Sequence, residues 1–258
     1  MISSAEKFKA YLRDHLIPGF VFSLRARRQG VPDALLYRPI FSPWRGLPHF
    51  RQLYQEISSH TLISELAAWT LYSLARQAAH VGGDFLEAGV YQGGTALMLR
   101  KILVEANEDK DLHLFDTFAG MPDTRPDRDL HKAGDFSNTS VAAVSMLIGP
   151  SERVHFHPGI IPDTFSGVKL ERIAFAHVDV DIHDAVYECC NFIYPRLTAG
   201  GIMVFDDYGF PSCPGARAAV DEFFADKPEV PLVLSSGQAV LFRSSSPRAA
   251  TTTSTASS

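Results

Sequence analysis

Four aspartates fall in two short motifs, and each motif follows a run of apolar residues. The motif HVDVDIH carries Asp179 and Asp181, and the motif FDDY carries Asp206 and Asp207. If the apolar runs are adjacent parallel strands, their ends lie about 5 Å apart and the carboxylates converge. Carboxylates that close repel each other, and one takes up a proton unless a cation intervenes. The pattern therefore predicts a hard divalent cation with oxygen ligands, Mg²⁺ above all.

A cation beside a base is suited to removing the proton from a hydroxyl. The cation lowers the pKa of the hydroxyl and orients it, while a neighbouring side chain accepts the proton. Asp181 or His183 can supply that base, and the residues alone do not choose between them. For Asp206 and Asp207 the structural alternative is helix capping or a solvated turn. For His183 the alternative is a surface or supporting position.

A glycine-rich turn and one further acid predict a cofactor that contains a nucleoside. The stretch EAGVYQGGT begins at Glu87, where a buried strand turns into a helix, and open α/β sheets bind ligands there. Gly89 and Gly93 would let the backbone approach a ligand, and Glu87 offers a negative charge to a cationic one. Asp116, at the end of the next strand, is placed to accept hydrogen bonds from both ribose hydroxyls. A purely structural tight turn, with Asp116 capping it before Thr117, is the alternative.

The spacing of the glycines argues against two other nucleotide sites. The turn reads G-x-x-x-G-G, which lacks the spacing of a dinucleotide fingerprint. No lysine follows the glycines, as it would in a phosphate loop that binds ATP. These observations disfavour a nicotinamide cofactor and exclude an ATP-type phosphate loop.

Alternating strands and helices would position these motifs. Apolar runs predict strands, and longer periodic segments between them predict helices. Repeated β-α units require parallel strands joined by right-handed crossovers. We therefore predict an α/β protein with the Rossmann-like class I methyltransferase fold: a mostly parallel seven-stranded sheet, helices on both faces and a C-terminal antiparallel hairpin. The predicted strands cover 85–88, 112–115, 153–156, 173–178, 202–205, 232–234 and 239–242, and the predicted helices 95–105, 141–148, 185–194 and 215–225.

Three regions are predicted along the chain. Residues 1–50 carry five prolines and form an extension that covers the acceptor or contacts another subunit; residues 51–243 form the methyltransferase domain. Residues 244–258 are low in complexity, which predicts disorder. Within the domain, residues 51–77 read as helical. Residues 117–137 are longer than an ordinary connection, which predicts a lid.

Composition excludes several classes of protein. The 258 residues are 46% hydrophobic with a formal net charge of −5. No concentrated basic face is present, so a nucleic-acid partner is not expected. Cys189, Cys190 and Cys213 are odd in number and two are adjacent, which suggests neither a disulfide framework nor a zinc pattern. No apolar run reaches the length of a membrane span. We expect a soluble, cytoplasmic homo-oligomer that acts on a small molecule.

Five motifs between His60 and Phe224 resemble those of one known family. They are FLEAGVYQGG, LHLFDTFAGMP, HPGIIPDTF, HVDVD and GGIMVFDDYGFPSCPGARAAVDEFF. Together they resemble the macrocin O-methyltransferase family, which methylates sugar hydroxyls in natural-product biosynthesis. The resemblance implies S-adenosylmethionine as methyl donor and a hydroxylated, possibly glycosylated, small-molecule acceptor.

The resemblance also implies roles for individual residues. Magnesium would be held by Asp179, Asp206 and Asp207, and Asp181 falls where the family places a candidate base. Together with His183, which the motif itself offers, the predicted catalytic residues are Asp181, His183 and Asp179. Thr61 and Ser64 fall near a segment that closes over the methionine end of the cofactor. The residues implied for cofactor binding are Thr61, Ser64, Glu87, Gly89, Tyr91, Gly93, Asp116, Thr117 and Asp179.

Two departures from the family and three alternatives stay open. The family has an aromatic residue near the position of His183, so the base and the acceptor wall are expected to differ here. The first fifty residues match nothing in the family.

The alternatives are a metal-independent methyltransferase that uses Asp181 or His183 alone, a nicotinamide-dependent oxidoreductase, and a binding module without turnover. The cost of keeping four acids together without a task argues against the last of these.

Overall fold

The structure, a computed structural model, describes residues 43–245. Pro43–Gly46 form a short 3-10 turn in an N-terminal unit that ends at Leu47. A second unit begins at Pro48 and contains every other element described below. Most of the predicted extension and almost all of the predicted tail lie outside the described residues. Within the described part of the chain, no helix combines the length and apolar character needed to cross a bilayer.

A seven-stranded sheet organises the second unit, with the strand order β3-β2-β1-β4-β5-β7-β6. The strands are β1 Asp84–Ala88, β2 Leu112–Asp116, β3 Val154–Pro158, β4 Ile173–Val178, β5 Leu197–Phe205, β6 Leu232–Val233 and β7 Ala239–Phe242. The first five are parallel, whereas β7 runs antiparallel to both β5 and β6. The predicted fold class is confirmed, including the closing hairpin. The strand β5 begins five residues before the predicted start at residue 202.

Helices cover both faces of this sheet. They are α1 Pro48–Ile57, α2 Glu65–Ala78, α3 Gly94–Glu105, α4 Val141–Ile148, α5 His183–Ile193 and α6 Pro214–Phe224. Alternate strand residues such as Leu86 and Ala88 pack with residues of α5 and α6 in one apolar cluster. The helices α2 and α3 contact strands from the other side. Because both faces are covered, the central strand β4 is buried along its whole length, as parallel strands commonly are.

The predicted helical stretch from 51 to 77 is two helices rather than one. The Ser64 side chain accepts a hydrogen bond from the backbone N–H of Ala67 at 3.1 Å, which starts α2 with an N-cap. The backbone N–H of Gly94 donates to the carbonyl of His60 at 3.0 Å, so the intervening segment lies against the start of α3. The apolar periodicity continues through this break. For that reason the sequence pattern did not reveal the end of α1 and the start of α2.

The register of the central strands brings the predicted motifs to one edge of the sheet. Ala88 of β1 pairs with Val178 of β4, and Val178 pairs with Phe205 of β5. The residue after each strand end therefore emerges at the same level. These residues are Gly89, Asp179 and Asp206, at the point where the strand order reverses between β1 and β4. Open α/β sheets bind their ligands at this point.

Candidate active site

A cavity of about 690 Å³ opens at the carboxyl edge of the sheet. Its volume falls in the range of small-molecule and cofactor sites. The predicted site residues among its lining are Thr61, Ser64, Gly89, Tyr91, Asp116, Thr117, Asp179, Asp181, Asp206 and Asp207. Glu87, Gly93 and His183 are the predicted residues that do not line it.

The two glycines of the turn make room for protein atoms, not only for a ligand. Gly89 has a φ of 86°, and a Cβ atom there would lie 1.7 Å from the carbonyl oxygen of Asp179. Gly93 has a φ of 87°, and a Cβ atom there would lie 2.7 Å from Cγ1 of Val144. Both glycines are therefore required by protein contacts, and the approach of a ligand to their backbone stays a prediction. Gly89 allows β1 and the segment after β4 to meet, and Gly93 allows α4 to pack on the turn.

Asp116 fixes the glycine turn from the end of β2. Its Oδ2 accepts hydrogen bonds from the backbone N–H groups of Val90 and Tyr91 at 2.7 and 2.9 Å. Its Oδ1 accepts one from the backbone N–H of Phe118 at 2.6 Å. A carboxylate has about four acceptor positions, so three are already used. A further acceptor position is available to a ribose hydroxyl, and the bonds to both ribose hydroxyls stay a prediction.

Three other residues predicted to bind the cofactor make contacts within the protein. The Ser64 hydroxyl caps α2, and the Thr117 hydroxyl donates to the carbonyl of Gly120 at 2.6 Å. Tyr91 has a φ of 51°, which a bulky residue rarely adopts, and its ring packs on Phe136 with centroids 5.9 Å apart. Strained backbone of this kind clusters at functional sites because the surrounding structure holds it there.

A buried charge chain supports the acids from beneath the cavity. Glu87 is fully buried, and its Oε1 lies 2.9 Å from Nδ1 of His177. The other imidazole nitrogen lies 3.6 Å from Oδ1 of Asp206. Burial alone would lower the pKa of His177, but Asp206 and Glu87 raise it well above its ordinary value. Glu87 thus pairs with a residue of the protein, and its predicted role toward a cationic ligand stays a prediction.

Gln238 is a further residue of the site that the sequence analysis missed. It directly precedes β7 and is fully buried, and its Nε2 donates to Oδ1 of Asp206 at 2.7 Å. Its Oε1 accepts from the hydroxyl of Ser236 at 2.8 Å. These bonds fix the orientation of the Asp206 carboxylate. The sequence signal was a polar residue directly before the apolar strand AVLF.

The carboxylates of Asp179, Asp206 and Asp207 converge as predicted, with ligand atoms all within 4.8 Å of one another. Burial, and then repulsion by the other two acids, raises the pKa of Asp179 well above its ordinary value. Burial and the neighbouring acids raise the pKa of Asp207 to about 8. The Oδ2 atom of Asp207 is buried without a hydrogen-bond partner among the described residues. An all-oxygen donor set with excess negative charge fits a hard divalent cation.

The two candidate bases lie in different surroundings. Asp181 lines the cavity, has a φ of 59°, and has a pKa raised chiefly by burial. The buried ring of His183 lies outside the lining, with Nδ1 2.9 Å from Asp184 and Nε2 3.3 Å from Glu222. Its surroundings match the supporting position that was the alternative for this histidine. Of the two candidates, Asp181 is therefore the one whose side chain lies at the cavity.

The long loop between β2 and α4 is tied to the site by an aspartate that the sequence did not single out. Asp129 is buried, and its Oδ1 accepts a hydrogen bond from the backbone N–H of His183 at 2.9 Å. Its Oδ2 accepts one from the backbone N–H of Arg125 at 3.1 Å. A negative side chain at the first N–H of α5 also suits the helix dipole. The sequence analysis did not single out Asp129 because it lies in a charged run that is typical of a solvated loop.

We expect Asp129→Ala to loosen this loop. The change removes the acceptor for two backbone N–H groups, which should lower the free energy of unfolding by about 1–3 kcal/mol. Limited proteolysis should cleave residues 117–137 faster than in the wild type. Asp127→Ala is the matched control, because Asp127 is exposed and, in the part of the chain that the structure describes, its ion pairs are weak surface pairs with Arg125 and Arg128. Equal cleavage of the two variants would contradict the role of Asp129.

The fold and the site together define a class I methyltransferase. The strand order, the antiparallel β7, the glycine turn after β1 and the acid at the end of β2 all agree with this class. The profile described as Macrocin-O-methyltransferase (TylF) matches residues 63–243, and the chain belongs to this family.

Named relatives share part of their length with this chain. Mycinamicin III 3''-O-methyltransferase of Micromonospora griseorubida is 32% identical over 181 residues, which cover 64% of this chain and 70% of that protein. Demethyldecarbamoylnovobiocin O-methyltransferase of Streptomyces niveus is 31% identical over 163 residues, which cover 57% of this chain and 60% of that protein. The chain thus spans less than two thirds of the second relative.

Solved structures support the same fold. The O-methyltransferase NovP superposes with a TM-score of 0.65 at 25% identity, covering 72% of this chain and 82% of that one. The calicheamicin methyltransferase CalS11 superposes with a TM-score of 0.58 at 18% identity, covering 79% and 94% of the two chains. The second likeness supports the fold alone.

Proposed function

We propose that the chain transfers a methyl group from S-adenosylmethionine to a hydroxyl of a sugar or another small natural-product metabolite, assisted by Mg²⁺. One observation carries the proposal. Three buried or partly buried carboxylates converge within 4.8 Å beside a cavity lined by the glycine turn and Asp116. The family and the printed names of its relatives, which are O-methyltransferases of natural products, support the reaction and the acceptor class.

Residues at one end of the cavity would hold the cofactor. When bound, S-adenosylmethionine supplies an electrophilic methyl group on a sulfonium. Asp116 accepts a hydrogen bond from one ribose hydroxyl and keeps the glycine turn in place through its bonds to Val90 and Tyr91. Thr61 and Ser64 line the same cavity at the start of α2. These contacts fix the position of the methyl group relative to the acids, which is where an enzyme gains from orientation.

Residues at the acidic end would prepare the acceptor. When bound, Mg²⁺ lowers the pKa of a hydroxyl and orients it. Asp179, Asp206 and Asp207 are its ligands in this proposal, and Gln238 holds Asp206 in position. Asp181 accepts the proton of the hydroxyl, because it lines the cavity and its raised pKa brings it closer to neutral pH, where a general base works best. His183 supports the start of α5.

The raised pKa values predict that Mg²⁺ affinity depends on pH. Asp207 has a pKa of about 8 in the metal-free protein, so below that pH a proton competes with the cation. Because the folded-state pKa lies above the ordinary value, the protonated form favours folding, and this contribution is lost as the pH rises toward 8. We expect Mg²⁺ affinity to rise between about pH 6 and pH 8, with protons released on binding. Calorimetric titrations in two buffers of different ionisation enthalpy measure the Mg²⁺ affinity and the number of protons released. An affinity that does not change with pH would contradict the role of Asp207 as a metal ligand.

Ligand binding separates this proposal from its alternatives. We expect S-adenosylhomocysteine to raise the melting temperature, and NADH to leave it unchanged, because the turn and Asp116 suit a nucleoside and not a dinucleotide. Stabilisation by NADH alone would select the oxidoreductase. Transfer of a labelled methyl group to a panel of glycosylated hydroxyl acceptors then distinguishes an enzyme from a binding module. The roles of residues 1–50, the oligomeric state and the cytoplasmic location stay predictions.

A further inference from the structure

A second group of potential metal ligands lies beside the three carboxylates and contains nitrogen and sulfur. His131 comes from the long loop after β2, Asp181 from the segment after β4, and Cys213 from the N-cap position of α6. Nε2 of His131 lies 3.5 Å from Oδ1 of Asp181 and 3.6 Å from Sγ of Cys213. Sγ of Cys213 lies 3.4 Å from the same Asp181 oxygen. The three atoms form a nearly equilateral triangle.

The dimensions of this triangle match one face of a tetrahedral metal centre. Typical zinc–ligand distances with tetrahedral angles place sulfur about 3.5 Å from both nitrogen and oxygen, and nitrogen about 3.3 Å from oxygen. A direct ion pair between a protonated histidine and a carboxylate would instead bring the two atoms to about 2.8 Å. The observed 3.5 Å between His131 and Asp181 is long for that pair. A shared cation at the centre of the three atoms accounts for all three separations.

The surroundings of His131 resemble those of a metal-binding histidine. Its other ring nitrogen, Nδ1, lies 3.3 Å from Oδ2 of Asp135, and that oxygen also accepts the backbone N–H of Lys132 at 2.9 Å. A carboxylate behind the second nitrogen commonly orients a histidine toward a metal. Burial and the acids Asp207 and Asp181 raise the pKa of the Cys213 thiol in the absence of a cation. A cation would offset both effects and stabilise the thiolate.

We propose that His131, Asp181 and Cys213 form a second metal site that selects Zn²⁺ over Mg²⁺. Thiolate and imidazole suit zinc, whereas the adjacent all-oxygen group suits magnesium. Three protein ligands leave a fourth position, and Asp181 is the ligand that lines the cavity. Water or a ligand in the cavity completes the coordination, as in zinc sites with three protein ligands.

Occupation of this site has two consequences. Zinc joins the long loop to the ends of β4 and α6, because each ligand comes from a different element. It also engages the carboxylate that is the candidate base, so zinc should inhibit methyl transfer that Mg²⁺ supports. This second consequence rests on the proposed function, whereas zinc binding itself does not.

Cobalt absorption spectroscopy on the full-length chain tests the binding. Co²⁺ is added to protein saturated with Mg²⁺, and we expect a thiolate-to-cobalt charge-transfer band that Zn²⁺ removes. Cys213→Ala should abolish the band, and His131→Gln should weaken Zn²⁺ binding at least about a hundredfold. Asp135→Asn, which touches no proposed ligand atom of the metal, should weaken it by about 10- to 100-fold. No band in the wild type, or an unchanged band in Cys213→Ala, would overturn the proposal.

Two control variants exclude other binding sites. Cys190→Ala removes a buried cysteine of α5, and His155→Gln disrupts a separate group formed by Asp111, His113 and His155. Both variants should bind Zn²⁺ at the site formed by His131, Asp181 and Cys213 with an affinity within about twofold of the wild type. If Cys213→Ala does not fold, His131→Gln and Asp135→Asn decide the matter, and wild-type affinity in both would overturn the proposal. Inhibition by Zn²⁺ that Asp135→Asn relieves would support the functional consequence.

Discussion

Asp206→Asn is expected to lower the rate of methyl transfer at least about a thousandfold while leaving S-adenosylhomocysteine binding within a few-fold of the wild type. Charge stabilisation by a metal contributes several kcal/mol to a transition state, and about 4 kcal/mol corresponds to that factor. Asparagine keeps an oxygen for Gln238 Nε2, so the buried donor stays paired. It removes a negative ligand from the group of three acids. Steady-state rates with saturating Mg²⁺, together with calorimetric cofactor binding, measure both effects.

The control for this variant is Asp226→Asn. Asp226 is exposed and pairs only with the neighbouring Lys227 among the described residues, so its change should leave the rate near that of the wild type. A rate for Asp206→Asn within tenfold of the control would contradict the metal role of Asp206. Loss of cofactor binding together with activity would instead place Asp206 in the cofactor pocket.

Gly89→Ala is expected to lower the free energy of unfolding by about 2–5 kcal/mol. A φ of 86° costs an L-residue about 1–2 kcal/mol, and overpacking a rigid site adds about 1–3 kcal/mol. The added Cβ atom would lie 1.7 Å from the carbonyl oxygen of Asp179, and backbone can relieve such a contact only by moving. The movement would separate β1 from the segment that carries the acids. Chemical denaturation of the purified variant measures the loss.

Gly167→Ala separates the two parts of this effect. Gly167 has a φ of 79°, and within residues 43–245 no atom lies within 4 Å of a Cβ atom built there. It therefore keeps the conformational cost and lacks the collision. We expect a loss of about 1–2 kcal/mol and no change in Mg²⁺ binding. If both alanine variants lost the same stability, the close approach of β1 and Asp179 would not be the reason for Gly89.

The fold class could be predicted because it follows from local patterns. Short apolar runs alternate with helical segments, and such alternation leaves few topologies. The convergence of Asp179, Asp206 and Asp207 was predictable for the same reason, because parallel strands that pair in register end at one edge. The break at residues 58–64 was not predictable from periodicity. It depends on the Ser64 cap and on the contact between His60 and Gly94, which join distant parts of the sequence.

The direction of individual side chains at the site could not be predicted from the sequence. Asp181 and His183 are two residues apart, yet the first lines the cavity and the second is buried among Asp184, Glu222 and Arg128. The positive φ of Asp181 separates them, and nothing in the local sequence requires it.

A signal for the buried charge chain was present in the sequence. Glu87 and His177 are polar residues within apolar strands, and they occupy paired register positions on β1 and β4. Polar groups buried on neighbouring strands commonly pair, because an unpaired one costs several kcal/mol.

The long loop shows why ligands from separate elements escape a sequence search. His131, Asp181 and Cys213 are 50 and 32 residues apart along the chain, so they form no spacing motif. Contacts of the loop with the start of α5, among them Asp129 with the backbone of His183 and Arg128 with its ring, hold the loop near the other two ligands. The sequence analysis considered only the number and adjacency of the cysteines, which suggested no zinc pattern.

The central claim is that the three carboxylates hold a metal that methyl transfer requires. It is tested most directly by the transfer of a labelled methyl group from S-adenosylmethionine to glycosylated hydroxyl acceptors, using protein freed of metal with EDTA. We predict no transfer by the metal-free protein and full recovery when Mg²⁺ is restored. Equal transfer with and without Mg²⁺ would contradict the account and select a metal-independent methyltransferase with Asp181 as its base.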